Sequence, residues 1–319
     1  MVKKFFRDHP VHKKIVPFLD YFFLLRPTYF FAIWITFSLG LYSSQFIHSK
    51  DIIWGLSLSL NSIMLIIGIT FFCSGCFINW QLNSETNFPL QHKVNLINDK
   101  INPQYAVVIQ YILFSIGTLM VFFSDLTILP FLILIIFFCT SFINKRIYDP
   151  GIVELFALGS FVYLTGFIHN HFLHGVEIGI KDLKILIPYL FLINIISNLL
   201  QIDRTPGGII TSSFHNFVLV CLCIVSGMFG LILNDPITST ASITIFPFLM
   251  MVLIRNNNID LLRAIRYSLL ILAVFVFTTY PQFIWFSVGL YFLSKYYYWH
   301  RFDFHYPKLV LENDRNYSK

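Results

Sequence analysis

Apolar runs of membrane length recur along this chain with little between them, and that recurrence restricts its fold more than any motif does. They lie at roughly 28–47, 52–82, 104–124, 126–143, 151–170, 183–202, 213–234, 237–255, 261–280 and 281–299. Each is about long enough for a helix to cross a hydrocarbon core of ~30 Å. The runs are continuous and do not alternate, so the spans are helices that satisfy their own backbone and not the strands of a barrel. The predicted fold class is all-α: a polytopic membrane bundle of nine to ten transmembrane helices. The count turns on Tyr280-Pro281, which reads either as a tight turn between two spans or as a kink in one broken helix.

Composition excludes the soluble alternative, since 56% of the residues are hydrophobic and 12% charged. The first run follows a charged segment but lacks a short apolar core with a small-residue cleavage site, so it is expected to be retained as a span. The net charge of +6 does not point to nucleic acid, because the basic residues sit in loops and at span ends and form no patch on a soluble face. Their placement orients the bundle instead. With the N-terminal segment inside, 19 of the 22 Lys and Arg residues fall on the cytoplasmic side, leaving Lys50, Lys181 and Lys184 outside. An integral protein of the cell (inner) membrane is expected, with both termini and the 79–103, 145–150 and 203–208 loops cytoplasmic. The predicted domains are a basic amphipathic interfacial segment over 1–27, a transmembrane domain over 28–299 and a cytoplasmic tail over 300–319.

Cys73, Cys76, Cys139, Cys221 and Cys223 all lie in apolar runs and read as buried small hydrophobes, Cys73-x-x-Cys76 included. His169, His171 and His174 cluster at the outer end of a span, where solvation at the interface is favoured over a metal. The run from Lys295 to Arg301 reads as an aromatic and basic interface belt.

One interruption stands out. The stretch Phe72–Ala106 turns polar at Asn79 and apolar again only after Pro103, too long for an ordinary connection between spans, so it reads as the lip of a site. It carries Asn79, Trp80, Asn83, Glu85 and Asn87, then Lys93, then Ile101-Asn102-Pro103. A second polar segment, Ser197 to Gly208, carries Asn198, Gln201, Asp203, Arg204 and Thr205. Between them stands Lys145-Arg146-Ile147-Tyr148-Asp149-Pro150-Gly151, followed by Glu154 and Gly159, and Arg26-Pro27 opens the first span.

In order and spacing these pieces resemble the UbiA-like intramembrane prenyltransferase superfamily over about residues 20–280. That family's first motif is Asn-Asp-x-x-Asp-x-x-x-Asp with a basic residue and an Ile-Ser-Pro-like helix entry. Its second is approximately Asn-Asp-x-x-Asp-x-Glu-x-Asp-Arg. Here the frame is kept while most of the aspartates are replaced. The resemblance implies Mg²⁺ held by Glu85, Asn83, Asn87 and Asp203, with Glu85 and Asp203 as the catalytic carboxylates. It also implies a diphosphate held by Lys93, Lys145, Arg146 and Arg204, and a site lined by the amides of Asn79, Asn83, Asn87, Asn198 and Gln201. The implied partners are membrane lipid, an isoprenyl diphosphate and a hydrophobic acceptor. The implied function is transfer of an isoprenyl group from that diphosphate to a lipid or aromatic acceptor. Terpene cyclisation and noncatalytic binding of an isoprenoid or a partner protein are the alternatives. Plainer readings stand beside these: a solvated loop and cap for Asn83 to Asn87, a capped helix end for Asp203-Arg204, and topology anchors for Lys93, Lys145 and Arg146.

Overall fold

The computed structural model describes residues 10–49, 54–83, 97, 100–124, 152–173, 179, 184–194, 213–255 and 258–302. Among them the secondary structure is helical: α1 (Pro10–Leu24), a 3-10 turn (Pro27–Tyr29), α2 (Phe30–Ser49), α3 (Leu60–Asn83), α4 (Pro103–Ser124) and α5 (Ile152–Leu173). Then come α6 (Lys184–Asn194), α7 (Ser213–Ile232), α8 (Pro236–Arg255), α9 (Asn258–Thr279) and α10 (Gln282–Phe302). The all-α expectation holds. The predicted span at 126–143, Cys139, His174 and the tail beyond 302 lie outside the described residues.

Among the described residues four helices (α2, α3, α4 and α8) are long and apolar enough by themselves to cross a membrane. Of the apolar windows in α2 and α3, 78% and 72% is buried, against 28% and 39% in α4 and α8, so α2 and α3 form the centre and α4 and α8 the flanks. Tyr105, Tyr111, Leu119, Phe122 and Phe123 on α4 point outward, as a lipid-facing surface does.

Helices in lipid gain little from apolar burial against each other and associate through close backbone packing. The α2–α5 pair is built this way. A Cβ on Gly40 would strike the carbonyl oxygen of Tyr163, and one on Gly166 would strike that of Phe37. Further along both helices Ser44 meets His171, so α2 and α5 run in the same direction. In contrast α3 and α4 are antiparallel, with Gly68 against Met120 and Phe72 against Phe114.

The second span begins eight residues later than its hydropathy predicts. Trp54–Ser59 is not helical, because Gly55 and Leu56 donate their N–H groups to the carbonyls of Thr278 and Thr279 at 3.0 and 2.7 Å. Those carbonyls end α9 and have no partner within their own helix. Ser59 then caps α3, accepting from the Ser62 N–H at 3.1 Å. The Tyr280-Pro281 break is real, with α9 ending at Thr279 and α10 starting at Gln282.

Asn234-Asp235-Pro236 makes the α7–α8 turn. Asn234 adopts the left-handed conformation (φ 55°), the Asp235 N–H returns to the Gly230 carbonyl at 2.8 Å, and Pro236 takes the first position of α8, where a missing N–H costs nothing. At the other end of the bundle, α1 is tied to α10. The Tyr297 hydroxyl and the Arg301 guanidinium both donate to the buried Asp20 carboxylate at 2.6 Å, and Phe23 stacks on Tyr297 with centroids 3.8 Å apart.

Candidate functional site

The bundle has two ends of different character. One, the motif end, holds the last turn of α3, the first of α4, and the Asp20 clamp. The other, the far end, holds the last turns of α2 and α5, the first of α3, and the α7–α8 turn.

At the motif end, α3 carries the first motif out of the apolar interior. Ile78 is fully buried, Asn79 is half-buried, and Asn83 is the last helical residue. Glu85, Asn87 and Lys93 lie outside the described residues, as do Lys145, Arg146, Asn198, Gln201, Asp203 and Arg204. The approach of the two motifs to one another therefore rests on the resemblance. The chain returns to the bundle at Ile97 and Ile101, each 2% exposed and packed with Phe23, Leu24, Ile78 and Tyr297. Asn102 then caps α4, its Oδ1 accepting from the Gln104 N–H at 2.9 Å, with Pro103 at the first helical position. Asparagine, like serine, is a strong N-cap.

Beyond this end of the bundle the interior is aromatic. Tyr29 faces Phe77 at 5.0 Å, Trp34 lies 6.1 Å from Phe30 and 6.2 Å from Phe283, and Phe72 lies 6.3 Å from Phe161. The Trp34 indole N–H is satisfied by Thr70 Oγ1 at 3.2 Å, which fixes its ring between α3 and α10. Phe30, Phe72, Phe77, Phe161 and Phe283 are buried and belong to one packed core, against which Tyr29 and Trp34 lie. No group of three or more His, Cys, Asp or Glu side chains able to hold a metal occurs among the described residues.

The far end holds polar residues whose grouping the sequence did not disclose. His169 and His171 are each 1% exposed, which corrects the expectation that they are solvated at the interface. His169 Nε2 pairs with Ser62 Oγ at 3.1 Å and His171 Nδ1 with Ser44 Oγ at 3.5 Å. Asp235 is wholly buried. As the cap of α8 it accepts from the Ile237 N–H at 3.1 Å and from Thr238 Oγ1 at 2.9 Å. Burial raises its carboxyl above the ordinary range, an effect partly offset by Tyr189, Thr238 and the Ile237 N–H. The histidine pair was a visible signal, but nothing in the sequence tied it to Ser44 and Ser62.

No family model matches the chain, and no curated protein matches it. Among solved structures, that of a digeranylgeranylglyceryl phosphate synthase in membranes, a UbiA-type prenyltransferase, is similar. The two align over 84% of this chain and 99% of that one, with a TM-score of 0.54 and 15% identity. The likeness is one of fold, and the fold is a UbiA-like helical membrane bundle.

Proposed function

We propose that this membrane protein binds an isoprenyl diphosphate at the motif end and passes its isoprenyl group to a lipid or aromatic acceptor. What supports the reading is a bundle like that of a prenyltransferase over 84% of this chain, with aromatic rings packed in the interior beside α3, whose end carries the first motif. The charge asymmetry of the loops supports a cytoplasmic motif end in the cell membrane.

In this reading Lys93, Lys145, Arg146 and Arg204 grip the diphosphate by charge-assisted hydrogen bonds. The bond between the allylic carbon and the diphosphate oxygen breaks, pyrophosphate leaves with the electron pair, and the acceptor's nucleophilic atom bonds to the carbon and gives up its proton. Phe72, Phe77 and Trp34 present π-faces to the cation so formed. Glu85 and Asp203, with the amide oxygens of Asn83 and Asn87, are all hard oxygen donors and fit Mg²⁺, which usually takes one or two carboxylates plus phosphate and water. The ion would offset the charge of the diphosphate. Asn79, Asn198 and Gln201 line the site as neutral hydrogen-bonding groups.

One observation favours a second reading, a noncatalytic isoprenoid binder: amides stand at most of the positions where the resembled family has aspartates. Titration of the purified protein with farnesyl and geranylgeranyl diphosphate, with and without Mg²⁺, decides between them. Metal-dependent binding followed by pyrophosphate release supports transfer, while binding without release supports the binder. A cyclised product with no acceptor consumed would identify a terpene cyclase.

A further inference from the structure

The junction of α8 and α9 gathers three arginines that the proposed transfer does not use. α8 starts at the far-end turn and rises for 20 residues, about 30 Å, so its last residue, Arg255, stands at the motif end of the bundle. α9 turns back from there, with Asp260 in its first turn and Arg263 and Arg266 one and two turns on. Asp260 is 8% exposed, and its two oxygens face different cations. Oδ2 lies 3.7 Å from a guanidinium nitrogen of Arg255, and Oδ1 lies 3.4 Å from one of Arg263. The two arginine side chains are nonetheless 59% and 52% exposed. One carboxylate between two guanidiniums leaves a net positive charge, and more than half of each cation stays open to a further anion. Loop charge bias accounts for arginines at this end, but not for a buried acid that holds two of them side by side.

Below the arginines both helices turn apolar stripes outward. Met251 and Ile254 are exposed on α8, and Tyr267, Leu270 and Val274 on α9. The stripes lie beside one another, since the Asp260 pairs tie them at the end and Phe248 of α8 stacks on Tyr267 with ring centroids 4.8 Å apart. Along the axis Tyr267 is about 6 Å and Leu270 about 11 Å from Arg263. Cations at the rim, an aromatic ring next and aliphatic side chains deeper repeat the order of a phospholipid from its phosphate to its chains. A guanidinium offers paired N–H donors that match two oxygens of one phosphate.

We propose that Arg255, Arg263 and Arg266, with the apolar stripes below them, form a binding site for an anionic phospholipid at the motif end. The lipid phosphate accepts hydrogen bonds from the guanidiniums, and its acyl chains lie along Met251, Ile254, Leu270 and Val274. Asp260 is a positioning residue: it sets the two arginines at one spacing and never touches the lipid. Selection of an anionic lipid follows from charge, because three cations against one carboxylate repel the ammonium of a zwitterionic headgroup.

Native mass spectrometry of the delipidated full chain in detergent tests this by counting bound phosphatidylglycerol against phosphatidylcholine at equal concentrations. The wild type should favour phosphatidylglycerol. Arg255→Gln and Arg263→Gln should weaken that binding by about fivefold each and about 25-fold together, from the factor that one cation near a membrane surface is worth. Lys295→Gln, which removes an exposed cation from α10, should leave it unchanged. Equal binding of the two lipids, unaltered binding in the arginine variants, or an equal loss in Lys295→Gln would overturn the site. Inorganic pyrophosphate bound by the wild type and lost in the arginine variants, with no preference between the lipids, would replace the phospholipid with a free phosphate ligand. Should the double variant fail to fold, the two single variants, each of which leaves Asp260 one cation, still decide.

Discussion

Asp235 and Asp20 are both buried carboxylates, and they are held differently, the one in a helix cap and the other against a cation. Asp235 has its carboxyl raised by burial, so the unfolded chain, with an ordinary value of about 3.9, releases that proton first. Its contribution to stability is therefore fully present below the unfolded value and is lost as pH rises through the raised folded value. Between the two, stability should fall by up to about 1.4 kcal/mol per pH unit. Asp235→Asn should flatten that decline in pH-resolved thermal unfolding, and an unchanged profile would show that another group sets it. Asp20 instead is paired, by Arg301 and Tyr297. Arg301→Ala leaves a buried carboxylate without its cation and should cost on the order of 3 kcal/mol. Tyr297→Phe, which loses one charged-group hydrogen bond, should cost about 1.5 kcal/mol. Denaturant titration of the two variants should preserve that order.

At the scale of elements, the helices and their ends were legible wherever one local rule decided them. Ile101-Asn102-Pro103, read as a helix entry, pairs a cap with a proline at the first helical position and begins α4. The start of α3 was missed because hydropathy does not know that Trp54–Ser59 spends its backbone donors on the end of α9. The burial of His169 and His171 was missed for another reason: α5 is apolar all round, so no stripe in its sequence tells the buried face from the lipid face. Close approach of α2 and α5 depends on two positions without side chains. Gly40→Ala or Gly166→Ala should each destabilise by about 1–3 kcal/mol, the cost of overpacking, because the obstacle in both cases is backbone that no rotamer change can clear. A Gly289→Ala control, where a Cβ would meet nothing within 4 Å, should be close to neutral by the same assay.

For the whole molecule, the recurrence of apolar runs sufficed for the class of fold, while the chemistry of the motif end depends on residues beyond those described and rests on their resemblance in order and spacing. Its topology can be tested directly. A cysteine placed at Asn87 should react with an impermeant reagent from the side opposite to one placed at Lys181; labelling of both from one side would undo the pairing of the motifs. If the motif end transfers isoprenyl groups, Glu85→Gln or Asp203→Asn should reduce Mg²⁺-dependent pyrophosphate release by about 100-fold, roughly 2.7 kcal/mol of barrier. Asn83→Asp with Asn87→Asp should tighten Mg²⁺ binding.

The clamp between α1 and α10 joins residues 281 positions apart, and this bears on how the chain is made. A ribosome adding about 5–20 residues per second delivers Arg301 tens of seconds after Asp20 has emerged. Through that interval the acid of α1 has no cation from α10 and is better kept in water than in lipid. The nascent α1 therefore waits at the membrane surface, and its docking is a late event of biogenesis that chains halted before Tyr297 cannot complete.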